Sequence, residues 1–232
     1  MPQETPITTL LVPQGAEYKA VCRGLGLLPV AVSQRLQVVP IPVGPRPVTA
    51  RLSQLPLPPG GCLIMGLGGR LSRRSGVGDV VLGQRCMTVA AGNTAENVQP
   101  QPCEQLTTWL QTRLSMATVG TVVTCDRILT TAQDKAAIHS LTQGDVVDME
   151  SSAVLVALAA HPVAILRVIS DDYDQPLPDI TAALGADGDL KPWPLALSFL
   201  KRPRAAIHLI RGSLRGLRRL QAVTSQLFLA DL

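Results

Sequence analysis

The stretch 144-GDVVDMESSAVLVALA-159 passes from an apolar run into helical spacing, with Asp148, Met149 and Glu150 at the junction. A strand that ends in acids and feeds a helix is the building unit of an α/β sheet. The unit recurs at once, because 163-VAILRVISDDYD-174 is an apolar run ending in Asp171 and Asp172. Acids at a helix start are ordinary, since its unpaired N–H groups and dipole favour negative charge. Strand ends are also where α/β sheets hold ligands. The two acidic clusters therefore read either as two helix caps or as two walls of one site.

Outward from this pair, short runs rich in Val, Ile and Leu alternate with helical spacing. Ile7 to Val12 reads as a first strand and about Ala16 to Leu25 as a helix. Residues 35-RLQVVPIPV-43 and 48-VTARLS-53 read as strands, with Pro40 and Pro42 assigning the first to an edge or an early end. Gly61 to Gly66 reads as a buried strand running into the glycine turn 66-GLGGR-70, and 78-GDVVLGQR-85 as a strand with a tight turn at Gly83. Leu106, Trp109, Leu110 and Leu114 stand at helical spacing. A strand over 117-ATVGTVVTCD-126, a helix over 134-DKAAIHSLTQ-143, a strand over 145-DVVDM-149 and a helix from about Glu150 to Ala160 follow. Strands apolar along their length, separated by helices, predict a central sheet covered on both faces. The fold class is α/β.

Residues 175–194 are rich in Pro, Gly and Asp and read mostly as loop, leading to helices over Pro194–Leu200 and Pro203–Gln226. Ile207, Ile210, Leu214 and Leu217 form one stripe of the last helix, with arginines flanking it. Gly212 and Gly216 weaken that helix slightly.

The chain's 232 residues suit one domain, 1–232, and its 46% hydrophobic against 16% charged residues predict a sizeable core. No uncharged run approaches the ~20 residues of a spanning helix. The N-terminal stretch has neither the basic n-region nor the cleavage site of a signal peptide, so the cytoplasm is the expected compartment. Cys22, Cys62, Cys86, Cys103 and Cys125 are far apart and read as buried free thiols. With three histidines, a His-based metal site or triad is not expected, and no metal or organic cofactor is implied. The net charge of +4 sits in the C-terminal segment, where Lys201 to Arg219 holds seven basic residues and no acid. Aromatics at 3% leave few stacking platforms, which argues against a nucleic-acid partner.

The carboxylates at strand ends are Glu17, Glu150 and Asp171, with the glycine turn Gly66, Gly68 and Gly69 at another. Converged on one crevice, they suit attack of water on a sugar carbon: one carboxyl as acid, a second as base, a third gripping hydroxyls. Kept apart, each is a cap or a solvated residue.

The pair VVDMESSAV and LRVISDDYD resembles the purine nucleoside phosphorylase and nucleosidase superfamily. LLVPQGAEYKAV is similar to the first strand and helix start of methylthioadenosine/S-adenosylhomocysteine nucleosidases, LIMGLGGRL with VGDVVL to their glycine turn and following strand, and VVTCDRIL to the segment lining their base pocket. The segment from Leu177 resembles the tail of the hopanoid-associated phosphorylase branch, implicated in removing adenine from adenosylhopane. The resemblance implies a three-layer sandwich with a central mixed, largely parallel twisted sheet flanked by helices. It also implies a homodimer and N-glycosidic cleavage of a small adenine nucleoside.

Carried over residue by residue, Asp171 would be the general acid at the purine, since protonation makes the base a better leaving group. Ser170 would position the base or the aspartate. Glu150 would hold the ribose hydroxyls with Met149 packed on the sugar, and Glu17 would activate water. The backbone at Ile128 and Leu129 would read the purine edge, and Gly66 to Gly69 would let the main chain approach the sugar. Phosphorylases carry an arginine where Ile64 stands, which favours hydrolysis; Arg70, Arg73 and Arg85 keep phosphorolysis open. The nucleosidase serine of the glycine turn is replaced by Gly66, and Arg127 and Ile128 replace an aromatic-bearing stretch. A non-catalytic nucleoside-binding protein of the same fold is the alternative from another class. The basic helix over 201–219 reads either as an interfacial helix on anionic lipid, peripheral at the inner membrane face, or as a helix that packs its stripe on the core.

Overall fold

The computed structural model describes residues 5–90, 94–173, 185 and 203–229. The elements are β1 (Ile7–Pro13), α1 (Ala16–Leu25), α2 (Val30–Ser33), β2 (Gln37–Ile41), α3 (Pro45–Leu52), β3 (Gly61–Arg70), β4 (Val80–Val89) and β5 (Ala95–Asn97). They continue with α4 (Glu104–Arg113), β6 (Thr118–Cys125), α5 (Ala132–Thr142), β7 (Val146–Asp148), α6 (Ser151–Ala157), β8 (Val163–Asp171) and α7 (Pro203–Leu229). The strands form one mixed sheet in the order β2-β1-β3-β7-β6-β4-β5, with β8 paired to β3 and β4. The pairings β1–β2, β1–β3, β3–β8, β4–β6 and β6–β7 are parallel, whereas β3–β7, β4–β5 and β4–β8 are antiparallel.

Alternation along each strand divides the core between two faces. Leu63, Met65, Ala164, Leu166 and Val168 face α1, α4 and the C-terminal half of α7, where Leu220, Val223, Leu227 and Phe228 are buried. Cys62, Ile64, Val163, Ile165 and Ile169 face α3 and α6. Helices therefore cover both faces, as the apolar strands predict. β2 is an edge strand, which accommodates Pro40. All five cysteines are free, and Cys62, Cys86 and Cys125 are buried.

Four expectations are corrected. Residues 48-VTARLS-53 belong to helix α3, not a strand: Pro45 occupies the first helical turn, and Val48 and Leu52 bury one face at i, i+4. The glycine turn 66–70 is instead the end of β3, which stays paired with β8 through a register shift at Gly68/Gly69. Gly83 is interior to β4 rather than a turn, and a Cβ there would meet Ile165 at 2.9 Å. Of the stripe on α7, Leu217 packs against the core but Ile207, Ile210 and Leu214 do not, being 48%, 43% and 50% exposed. The helix instead lays Gly212 and Gly216 against the end of β8, where a Cβ on Gly212 would collide with the carbonyl of Ser170. The small residues set the docking face. The reading of 175–194 as loop (apart from Gly185), the helix Pro194–Leu200 and the charges at Lys201 and Arg202 lie outside the described residues. Among the described residues no helix is long and apolar enough to cross a membrane.

Candidate active site

The C-terminal ends of β1, β3, β6, β7 and β8 surround one cavity of about 210 Å³, at the strand ends where α/β sheets hold ligands. Glu17, Gly68, Gly69, Ile128, Leu129, Met149, Glu150, Ser170 and Asp171 all line it. Gly66, predicted with them, does not line it and abuts Glu17 and Arg167 instead. So the predicted site residues converge, and the two acidic clusters are walls of one cavity. Lys135, Arg127, Asp148 and Leu209 also line it.

At one end the acids are organised by Arg167, which no sequence reading singled out. The alternation of β8 turns its guanidinium towards α6, and its side chain is wholly buried. Nη2 lies 2.7 Å from Asp148 Oδ2 and 3.3 Å from Glu150 Oε2, and it donates to Ser151 Oγ at 3.2 Å. Nη1 donates to the Leu67 carbonyl at 3.4 Å. Burial opposes the guanidinium charge, but Asp148, Glu150 and Glu17 hold it above its ordinary range. A lone charge in the strand AILRVIS was the available signal.

Glu17 sits in the first turn of α1 and accepts a 2.6 Å bond from the Leu67 N–H. Burial pushes its carboxyl up to about 7, against the pull of that hydrogen bond. Glu150 occupies the cap position of α6 and accepts from the Gly44 N–H at 3.3 Å. Burial raises it also, with Arg167 opposing. Asp148 does cap α6, through the Ser151 N–H at 3.3 Å, and it accepts from Thr124 Oγ at 2.8 Å. It is also the main partner of Arg167. Gly66 has a local cause: a Cβ there would lie 2.6 Å from Glu17 Oε1 and 2.8 Å from Arg167 Nη1. The glycine opens room for the ion cluster.

At the other end Asp171, 5% exposed, closes β8. Its Oδ2 accepts from the ammonium of Lys135, and its Oδ1 stands 3.4 Å from Ser170 Oγ. Ser170 Oγ also donates to the Gly68 carbonyl at 3.2 Å. Burial pushes Asp171 up, and Lys135 partly offsets that. Ile128 and Leu129 follow β6 and wall the cavity between these ends.

None of Arg70, Arg73 and Arg85 lines the cavity. Arg70 pairs with Asp172 at 2.6 Å, Arg85 bonds Asn97 at 2.8 Å, and Arg73 is exposed. Ile64 is wholly buried in the core. Arg127 pairs with Asp134 at 3.1 Å. The arrangement sets the carboxyls of Glu17, Asp148 and Glu150 around a buried guanidinium at one end and an aspartate–lysine pair at the other.

Comparison with known proteins agrees with the fold. A family model described as the phosphorylase superfamily matches residues 49–187. No protein of curated function matches the chain. Among solved structures, futalosine hydrolase of Helicobacter pylori is similar at 14% identity and TM-score 0.64, over 94% of this chain and 96% of that one. The 5'-methylthioadenosine/S-adenosylhomocysteine nucleosidase of the same organism, bound to butyl-thio-DADMe-Immucillin-A, is similar at 14% identity and TM-score 0.63, over 95% and 98%. The nucleosidase of the same kind from Neisseria meningitidis, bound to methylthio-immucillin-A, shares 15% identity at TM-score 0.63, over 95% and 99%.

Proposed function

The chain belongs to the phosphorylase superfamily, and within it we propose that it is a nucleosidase that hydrolyses the N-glycosidic bond of an adenine nucleoside. The single observation that carries this is the charge of the sugar end of the cavity: three carboxylates, Glu17, Asp148 and Glu150, surround one guanidinium. A phosphate dianion would meet net negative charge there, whereas water meets a base. Solved relatives of the same fold are named for nucleoside hydrolysis of methylthioadenosine, S-adenosylhomocysteine and futalosine.

In this reading Glu17, with its carboxyl near 7, takes a proton from water as it attacks the anomeric carbon. Glu150 grips the ribose hydroxyls while Met149 packs on the sugar. Arg167 holds Glu150 in place and limits the charge around the developing oxocarbenium ion. Asp171 delivers a proton to N7 of the purine, whose edge meets the backbone at Ile128 and Leu129. Ser170 fixes the Asp171 carboxyl. The candidate substrates are methylthioadenosine, S-adenosylhomocysteine and adenosylhopane, and the working form is a homodimer of one-domain subunits. The test offers these nucleosides to the protein and to Asp171→Asn and monitors free adenine. Release by the protein and a loss of at least 10²-fold in the folded variant is the expected result; no adenine from any of them would remove the proposal.

One observation favours a peripheral membrane role as well. Ile207, Ile210 and Leu214 lie exposed along α7 beside the exposed Arg211, Arg215 and Arg218. An apolar strip edged by cations and free of acids matches an anionic lipid surface. Leu209, on the same helix, lines the cavity, so a lipid-borne nucleoside would enter from that side.

A further inference from the structure

Lys135 is a buried charge in the cavity for which the nucleosidase reading has no role. It lies in α5, is 1% exposed, and lines the same cavity as Asp171. Its ammonium donates to Asp171 Oδ2 and, at 2.7 Å, to the carbonyl of Asp172. Among the described residues its third N–H has no partner, although lysine is almost never buried unless paired. The ammonium therefore sets a proton directly against the Asp171 carboxyl. A purine that must leave as a neutral base needs one.

We propose that Lys135 and Asp171 act as one proton-donating pair in which Lys135 stores the proton and Asp171 passes it to the purine. The inference rests on the reading of Asp171 as the acid at N7. At rest the pair is ammonium and carboxylate. During cleavage a proton moves from Nζ to Asp171 and from Asp171 to N7, while the C1'–N9 bonding electrons enter the purine ring. The pair is left as amine and carboxylate. The attacking water gives its proton to Glu17; Glu17 then releases that proton to solvent and Lys135 takes one back, so the cycle balances as nucleoside plus water giving sugar plus purine. Lys135 is thus a positioning and proton-storing residue that acts through Asp171.

The surroundings suit a single mobile proton. Asp134, next to Lys135 in α5, is engaged by Thr131 and Arg127. Asp172 on the β8 side is paired with Arg70. From α7, His208, Arg211 and Arg215 line a separate cavity on the far side of Asp171 and Asp172. Glu17 and Glu150 line the main cavity with the pair. Lys135 is the one cation hydrogen-bonded to Asp171 among the described residues.

The test compares Lys135→Arg and Lys135→Met with the parent protein on two substrates. One is an adenine nucleoside; the other is 4-nitrophenyl riboside, whose phenolate leaves without protonation. Arginine keeps the positive charge but does not release a proton. Lys135→Arg should therefore lose about 10²-fold or more on the adenine nucleoside and stay within about threefold on the nitrophenyl riboside. In Lys135→Met the carboxyl alone holds the proton, so the alkaline limb of kcat/KM for the adenine nucleoside should move to lower pH. Thermal unfolding of each variant establishes that it is folded. Equal losses on both substrates, or a Lys135→Arg variant that matches the parent on adenine, would overturn the inference, as would an unmoved alkaline limb in Lys135→Met. A parent protein that cleaves neither substrate would instead remove the nucleosidase reading itself.

Discussion

Replacing Arg167 with methionine removes the one cation that, among the described residues, is paired with the acids Asp148 and Glu150. The methionine keeps much of the length, so the perturbation is chiefly electrostatic. Arg167 is wholly buried and pairs with Asp148 at 2.7 Å and Glu150 at 3.3 Å. Breaking a buried pair by removing one partner costs about 3–5 kcal/mol, because the other charge is left uncompensated. For a chain of this size each kcal/mol shifts Tm by about 2–4 °C, so Arg167→Met should melt roughly 6–20 °C lower at pH 8. The loss must also depend on pH. Glu17 already stands near 7 when folded, against an ordinary 4.5, and Arg167 pulls both Glu17 and Glu150 down. Without it both rise further. A carboxyl raised in the folded state favours folding below its unfolded pKa and loses that contribution as pH rises through its folded pKa. The variant should therefore recover much of its deficit between pH 8 and pH 5.5. Circular-dichroism melts at the two pH values read this directly. A deficit equal at both, or below about 2 °C at pH 8, would refute the electrostatic account of the cluster.

Gly66→Ser should cut nucleoside cleavage about 10²-fold with the protein still folded, because its Cβ would enter the space held by Glu17 Oε1 at 2.6 Å and weaken a positioned general base; full activity would show that the cluster yields. For the parent protein kcat/KM should rise with pH through about 7, as Glu17 must lose its proton to act as base. Glu17→Gln should abolish that rise, and a persisting limb would assign it to another group. Changing Ile207, Ile210 and Leu214 together to serine should leave Tm within about 2 °C and abolish binding to vesicles containing anionic lipid; undiminished binding would exclude the strip.

Much of this was legible in the sequence because apolar strands and acidic strand ends are local signals. Glu17, Glu150 and Asp171 each follow a run of Leu, Ile or Val, and the sheet carries each to the same edge. What escaped depended on partners distant in sequence. Lys135 sits in a helix that looks solvated, and only the packing of α5 beside the end of β8 buries its ammonium. The glycines of β3 look like a turn, but their cause is side chains approaching from elsewhere, Val146 and Val147 from β7 and Asp171 from β8. The residues 48-VTARLS-53 have strand propensity, yet Pro45 at the helix start and the burial of Val48 and Leu52 override it. On α7 the apolar periodicity was correct, but Gly212 and Gly216, with Leu217 alone of the aliphatic stripe, lie on the face that docks.

The central claim is that water, not phosphate, meets the sugar in an acid-lined cavity. Turnover of an adenine nucleoside in ¹⁸O-labelled water containing inorganic phosphate tests it most directly, with the sugar product read by mass spectrometry. The account predicts free sugar carrying one ¹⁸O at the anomeric position and a rate indifferent to phosphate. Sugar 1-phosphate as the product, or a rate that requires phosphate, would contradict it.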